Sequence, residues 1–179
     1  IDFQFDKIAP NPDPQPKVSV DTQNQKGVNF FHGKDIGKEH EDRIKLFLEK
    51  GWTQKEDNNK LYHLHHALVN DFLLIHFEKG AELKKPITIH YNVREGPLLT
   101  NVFVLADADA KATILLSKKG NVKTYVGEEV RIIAKPSSKI NLVAFQNLGK
   151  ETINMQRRKA IAHKDAKIDW VDVMIGTSF

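Results

Sequence analysis

Histidines and carboxylates are the residues of this chain whose spacing invites chemistry. His63, His65 and His66 lie within one short phrase, Tyr62-His63-Leu64-His65-His66. Metal-binding histidines on a helix are best placed four apart, and here only His63 and His66 share a face, at i and i+3. No carboxylate or fourth ligand is near in sequence, and no glutamate completes a zinc-protease pattern, so the cluster is read as ordinary helix surface. His76, His90 and His163 fall on scattered strand positions and receive no chemical role. Asp107 and Asp109 are two apart, which puts them on one face of a strand, with Lys111 following. Clustered acids with a basic residue are what a polysaccharide-cleaving solenoid needs. These acids sit in a turn, however, where aspartate is expected for backbone reasons. Asp169 and Asp172 do not share a face. The chain has no GxSxG, no GxGxxG, no P-loop and no cysteine. No catalytic, cofactor-binding or metal-binding residue is therefore assigned.

The elements that would position any such residue repeat. Between Phe72 and the end of the chain an apolar strand, a small polar turn and a second apolar strand recur four times. The turns read Gly80-Ala81-Glu82-Leu83, Asp109-Ala110-Lys111-Ala112, Ser137-Ser138-Lys139-Ile140 and Asp165-Ala166-Lys167-Ile168. Their last residues are 29, 28 and 28 apart, the mark of a repeat architecture. The repeat is β. In Ile87-Thr88-Ile89-His90-Tyr91-Asn92-Val93-Arg94 the odd positions are apolar and the even ones polar, a strand with one buried face. Val130-Arg131-Ile132 and Ile140-Asn141-Leu142 alternate likewise, and Gly80, Gly96, Gly120, Gly127 and Gly149 punctuate the strands. A hairpin sandwich also uses short strands. The steady period favours a solenoid, each repeat one coil stacked in parallel on the last. The expected fold class is mainly β, a parallel β-helix of about 28–29 residues per coil with a small N-terminal α/β lead-in. The expected division is a lead-in over residues 1–70 and a coil over 71–179.

A chain of 179 residues can bury a good core, and 40% apolar with 28% charged residues describes a folded domain rather than a disordered one. The net charge of +4 comes from lysines scattered through turns, which reads as a solvated basic surface and not a nucleic-acid footprint. Without cysteine there is no disulfide framework and no thiolate metal site, which fits the cytoplasm. No apolar run reaches the length of a membrane span and no signal peptide opens the chain.

In the lead-in, residues 1–5 alternate like a strand. Pro10, Pro12, Pro14 and Pro16 make an extended linker before a short strand at Val28-Asn29-Phe30-Phe31. Residues 35–50 form the best helix, with Asp35 as N-cap, Ile36, Ile44, Phe47 and Leu48 as its apolar stripe, and Gly51 as its stop. Residues 53–60 are a polar loop. Residues 61–69 form a second helix with Leu61, Leu64 and Leu68 on one side. The chain opens on Ile1 rather than Met and ends after an apolar run with no cap, so a piece of a longer protein is expected. An uncapped last coil invites either a continuation of the chain or a homodimer through that end.

Several of these stretches together resemble the SufB/SufD family of scaffold subunits in the SUF iron–sulfur cluster assembly machinery. The resemblance starts with Gly27-Val28-Asn29-Phe30-Phe31 and Glu39-His40 before the first helix. It continues through Lys60-Leu61 and Ala67-Leu68-Val69 into Phe72-Leu73-Leu74-Ile75-His76-Phe77 and Gly80, Leu83 and Pro86. It closes on Arg157-Arg158-Lys159-Ala160, Asp165-Ala166-Lys167-Ile168-Asp169-Trp170-Val171 and Ile175-Gly176. Lys79 stands where the family usually has proline, and His65 where it has asparagine in the short helix.

The resemblance implies a right-handed parallel β-helix and a non-enzymatic scaffold. It implies a sister SufB or SufD subunit and the SufC ATPase as partners, the latter docked on a C-terminal helical segment that this chain does not contain. The nascent Fe–S cluster would be held transiently by the full complex, and the family's cluster-handling residues lie beyond the matched stretch, so none is transferred. The lack of cysteine leans towards SufD. Two readings of other classes stand beside it: a carbohydrate-active β-helix, which needs an acidic cleft, and a self-assembling structural β-solenoid, which needs filaments grown through an open end.

Overall fold

A computed structural model describes residues 17–22, 25–33, 40–48 and 60–176. Two strands open the described chain, β1 (Lys17–Asp21) and β2 (Val28–His32), followed by helices α1 (Glu41–Leu48) and α2 (Lys60–Leu68). Eight strands complete it: β3 (Asp71–Phe77), β4 (Ile87–Asn92), β5 (Leu98–Ala106), β6 (Lys111–Gly120), β7 (Tyr125–Ala134), β8 (Lys139–Leu148), β9 (Ile153–Ala162) and β10 (Lys167–Ile175). They form two five-stranded sheets, ordered β1-β4-β6-β8-β10 (sheet A) and β2-β3-β5-β7-β9 (sheet B). From β3 onward every pairing is parallel, so alternate strands build alternate sheets and the chain coils. Parallel pairing excludes the hairpin sandwich and gives a β-solenoid of about four coils.

The period follows from the corners. In each coil a β-turn joins the sheet B strand to the sheet A strand, closed by Ala81 N–H on Glu78 O, Ala110 on Asp107, Ser138 on Lys135 and Ala166 on His163. The third turn residue has positive φ in every case: Gly80 (70°), Asp109 (64°), Ser137 (61°) and Asp165 (57°). The corners also stack, with Gly80, Asp109 and Ser137 N–H groups donating to carbonyls of Ala108, Pro136 and Lys164 one coil on. The one irregularity is in the first coil. Pairing steps by 29 residues at Asp71↔Thr100 and by 27 at Ile87↔Ile114, then by 28 throughout. One fewer residue between Asn92 and Leu98 and two extra between Phe77 and Ile87, at Lys84-Lys85, account for it. The Gln25 side chain spans them, donating to Lys85 O at 2.9 Å and accepting from Lys85 N at 3.0 Å.

Alternation decides which side chains fill the coil. Leu73, Ile75 and Phe77 point inward from β3, and Ile87, Ile89 and Tyr91 face them from β4. The in-register rows Ile75–Val104–Ile132 and Ile87–Ile114–Leu142 carry this core through successive coils. Each fully buried side chain of this size contributes roughly 1.5–3 kcal/mol. A smaller cluster lies outside sheet B, where Phe47 and Ile44 of α1 pack on Leu74, Phe103, Leu105 and Ile133. Phe47 stacks on Phe103 with ring centroids 4.6 Å apart.

Three expectations for the lead-in need correction. Lys17–Asp21, which the proline-rich linker was expected to run through, is a strand, paired antiparallel to β4. In α1 the stripe is narrower than the apolar residues suggest: Phe47 is buried while Leu48 is 61% exposed. In α2 the leucines are only half-buried, and His65 is the side chain that faces the sheet. The strand expected at residues 1–5, the four prolines, Asp35, Ile36, Gly51 and most of the loop at 53–60 lie outside the described residues. Among the described residues no helix is long and apolar enough to cross a membrane.

Candidate functional site

Among the described residues two gatherings of polar side chains are the most buried, and both follow from strand parity. The first is inside the coil. Asp71, Thr100, Glu128 and Gln156 stack in register on sheet B, facing Tyr91, Lys118 and Gln146 on sheet A. In the first two coils the Tyr91 hydroxyl donates to Asp71 Oδ2 at 3.0 Å and Thr100 Oγ1 donates to the same oxygen at 2.7 Å. His32 Nε2 approaches Asp71 Oδ1 at 2.6 Å from β2. Further along, Lys118 Nζ lies 2.8 Å and Arg158 Nη1 2.6 Å from Glu128 Oε1. Arg158 Nη2 reaches Asp172 Oδ1 at 3.1 Å. Two cations and two carboxylates thus form a charge-balanced quartet in which Lys118 and Glu128 have no solvent exposure.

Burial and pairing oppose each other in this quartet. Burial raises the Glu128 carboxyl, but the charges of Lys118 and Arg158 outweigh it and hold the group below the usual carboxylate range. Burial lowers the Lys118 ammonium, and Glu128 restores only part of the difference. Tyr91 is pushed well above the ordinary phenol value by burial and by the Asp71 charge.

The second gathering seats α2 on the outer face of sheet B. His65 Nε2 meets Asn101 Oδ1 at 2.8 Å and His66 Nε2 meets Glu129 Oε2 at 2.9 Å. Arg131 Nε lies 3.0 Å from Glu129 Oε1, and its Nη2 donates to the Tyr62 hydroxyl at 3.3 Å. Arg131 also donates to Phe47 O, so one guanidinium ties α1, α2 and β7 together. The Arg157 guanidinium lies 4.0 Å from the Tyr62 ring centroid, a cation–π contact. Burial would raise Glu129, yet bonds from His66 and Arg131 bring it down to about 2. Burial lowers the His65 imidazole, against the Asn101 bond. Between α2 and β9 a cleft of about 250 Å³ is lined by Tyr62, His65, Met155 and Arg157 among others, with no serine, threonine or cysteine in its lining. A larger concavity of about 590 Å³ on sheet A is lined by His90, Ser117, Lys119 and three asparagines besides Tyr91 and Gly120.

The residues singled out in the sequence do not converge. His65 and His66 bond different partners and His63 is exposed. Among the described residues no three histidine or acidic side chains are placed to hold a metal ion. Asp107 binds His76 Nε2 at 2.8 Å and Lys135 Nζ at 2.7 Å, while Asp109 occupies its positive-φ turn position and Lys111 points towards Glu82. These residues tie corners together and line no acidic cleft. The interior quartet was missed. Its signal was available, since Lys118 continues the inward series Ala112, Ile114, Leu116 in steps of two.

Comparison with known proteins brings the same stretch forward. The family profile for the SUF system FeS cluster assembly, SufBD core domain, matches residues 89–179, from inside β4 to the end of the chain. The iron–sulfur cluster assembly protein SufD of Bacillus subtilis (strain 168) is 27% identical over 154 residues, which cover 81% of this chain. The match spans 34% of that relative's length, so the chain corresponds to about a third of it. No solved structure matches the chain. With half of its residues in the core-domain match and a solenoid to carry them, the chain belongs to the SufB/SufD family of the SUF iron–sulfur cluster assembly system.

Proposed function

We propose that the chain is the lead-in and first coils of a non-catalytic scaffold subunit of the SUF system, SufD-like rather than SufB-like. It pairs with a sister SufB or SufD subunit and with the SufC ATPase, and works in the cytoplasm. The observation that carries this reading is the core-domain match over 89–179, which falls on the parallel coils. The chemistry of the segment supports it. Its ionisable side chains in the coil and beneath α2 are spent on one another, and its sequence offers a cluster no thiolate. The Fe–S cluster is cargo of the complex in this reading, ligated outside the segment. What the segment's own residues do is hold shape: the buried quartet and in-register rows keep each coil fixed over the next, as a rigid arm for subunit docking.

The test is a pull-down of the full-length parent protein from cytosolic extract, with mass spectrometry of the bound fraction. Recovery of an ABC-type ATPase together with a second β-helical subunit supports the scaffold. Recovery of neither, from a well-folded sample, overturns it. Sugar-dependent thermal stabilisation would then favour a carbohydrate-active β-helix, and filaments seen by electron microscopy a structural solenoid.

A further inference from the structure

The two outer faces of the coil are not treated alike. Sheet B carries both described helices, α1 on Phe103 and α2 on Asn101. The outer face of sheet A instead leaves two apolar rows open: Leu115–Val143–Val171, and Phe145 beside Val173. Phe145 lies on β8, hydrogen-bonded to a strand on each side, and is still 39% exposed. Neighbouring coils do not shield this ring, so its exposure belongs to the face itself.

Cations flank the rows. Four residues before the Leu115–Val143–Val171 row stands a ladder of Lys111, Lys139 and Lys167, paired in register. Lys119 stands on the other side, four residues beyond Leu115 and two beyond the Phe145 row. Among the outward residues of β6, β8 and β10 the only acid is Asp169, which binds Lys167 at 3.2 Å. Lys139, the central rung, makes no ion pair among the described residues.

We propose that this face docks an acidic amphipathic helix of a partner, lying along the coil axis. Three observations select that occupant. Spacing is the first: parallel strands are about 4.8 Å apart and a helix advances about 5.4 Å per turn, so side chains at i, i+3 or i+4, and i+7 meet successive coils. Charge is the second: a lysine ladder beside an apolar row calls for acidic residues along the helix edges and disfavours a second copy of this chain, which would bring the same lysines. The third is the chain's own example, because α1 opens with Glu41 and Asp42 and lays Ile44 and Phe47 across the equivalent rows of sheet B. None of the three depends on membership of the SUF system.

The experiment is a selection of 16-residue random peptides displayed on phage against the purified chain, depleted first on a chain carrying Phe145→Ser. The expected winners have apolar residues at helical spacing with Asp or Glu on the flanks. As synthetic peptides they should bind at least tenfold more weakly to Phe145→Ser and to Lys139→Glu, and weaken with salt. Lys150→Glu, an exposed charge change elsewhere, should leave binding unaltered. Phe145 and Lys139 are both solvent-facing, so circular dichroism and melting curves should show intact folding in the two variants. Basic winners, winners without helical period, or no winners would overturn the proposal. So would binding of the chain to phosphatidylglycerol vesicles that Lys139→Glu abolishes while acidic peptides fail to bind, since the face would then be a membrane contact.

Discussion

The Lys118–Glu128 pair at the centre of the quartet has no solvent exposure, so removing one of these two leaves the other as a charge without water. Glu128→Leu should therefore cost about 3–5 kcal/mol in urea denaturation, by stranding Lys118 beside Arg158. Adding Lys118→Met to that variant should recover part of the loss, because the second change removes the stranded ammonium. A double-mutant cycle measures the recovery, and simple additivity would show that the two groups do not interact. The histidine and carboxylate under α2 predict how stability responds to acid. The folded chain holds His65 below its ordinary value near 6.5, so the unfolded chain takes up the proton first and stability falls as pH drops through and below 6.5. Glu129 acts later. Its folded value of about 2 against an ordinary 4.5 stabilises the fold above pH 4.5, on the order of 3 kcal/mol, and that contribution disappears between 4.5 and about 2. Chemical denaturation across pH should show two descending limbs, and His65→Gln, which retains an amide for Asn101 but does not titrate, should remove the upper one alone.

For strands and helices the deciding features are a close approach and a turn. Gly127 lies where β7 passes under α2. A Cβ added there would stand 2.7 Å from Leu99 Cδ2 and 2.8 Å from His65 Nδ1. The His65 ring is held by Asn101 and cannot swing away freely, so Gly127→Ala should lift α2 at a cost of about 1–3 kcal/mol. Hydrogen exchange should then accelerate in α2 while the amides of β5 and β8 keep their protection; uniform protection would show that the seat adapts. Turn chemistry is the reason the coil was readable from sequence at all. Ser137 and its equivalents mark the corner where the backbone turns left-handed in every coil, so that demand on residue type recurs with the period. Alternation is equally local, which is why β4 matches its sequence pattern residue by residue. The seat of α2 was not readable in the same way. Its leucines mark an amphipathic helix, but the sheet beneath presents Asn101, Glu129 and Arg131, and only their placement across two coils turns the histidine edge inward.

The whole coil is a one-dimensional stack, so its first layer matters out of proportion to its size. A parallel solenoid exposes unpaired strand edges and an open apolar column at any uncovered end. Here β1 and β2 close the N-terminal end by running antiparallel to the first coil, one on each sheet. Their inward residues, Val18, Val20, Val28 and Phe30, pack onto the interior core as a lid. The β2 half of this lid was expected from Val28-Asn29-Phe30-Phe31. The β1 half escaped the sequence reading because that strand is five residues long and its alternation rests on only two valines, beside a proline run that dominates the local pattern. Yet the lid sets what the fold can tolerate. Phe30 opposes Ile75, an interior residue with no solvent exposure, across the antiparallel pair. Phe30→Ala should cost about 2 kcal/mol, less than a fully buried phenylalanine because the ring is half-covered. The cost should fall on the first coil: hydrogen exchange should quicken in β3 and β4 before β7 and β8, since each coil is stabilised by its neighbours and the loss begins at the base. Phe30→Asp places a charge over the apolar column and should also expose the β3 and β4 edges, producing concentration-dependent association in analytical ultracentrifugation. A Phe30→Asp chain that stays monomeric, with unchanged exchange in β3 and β4, would show that the coil closes its own base and that β1 and β2 are attachments to it.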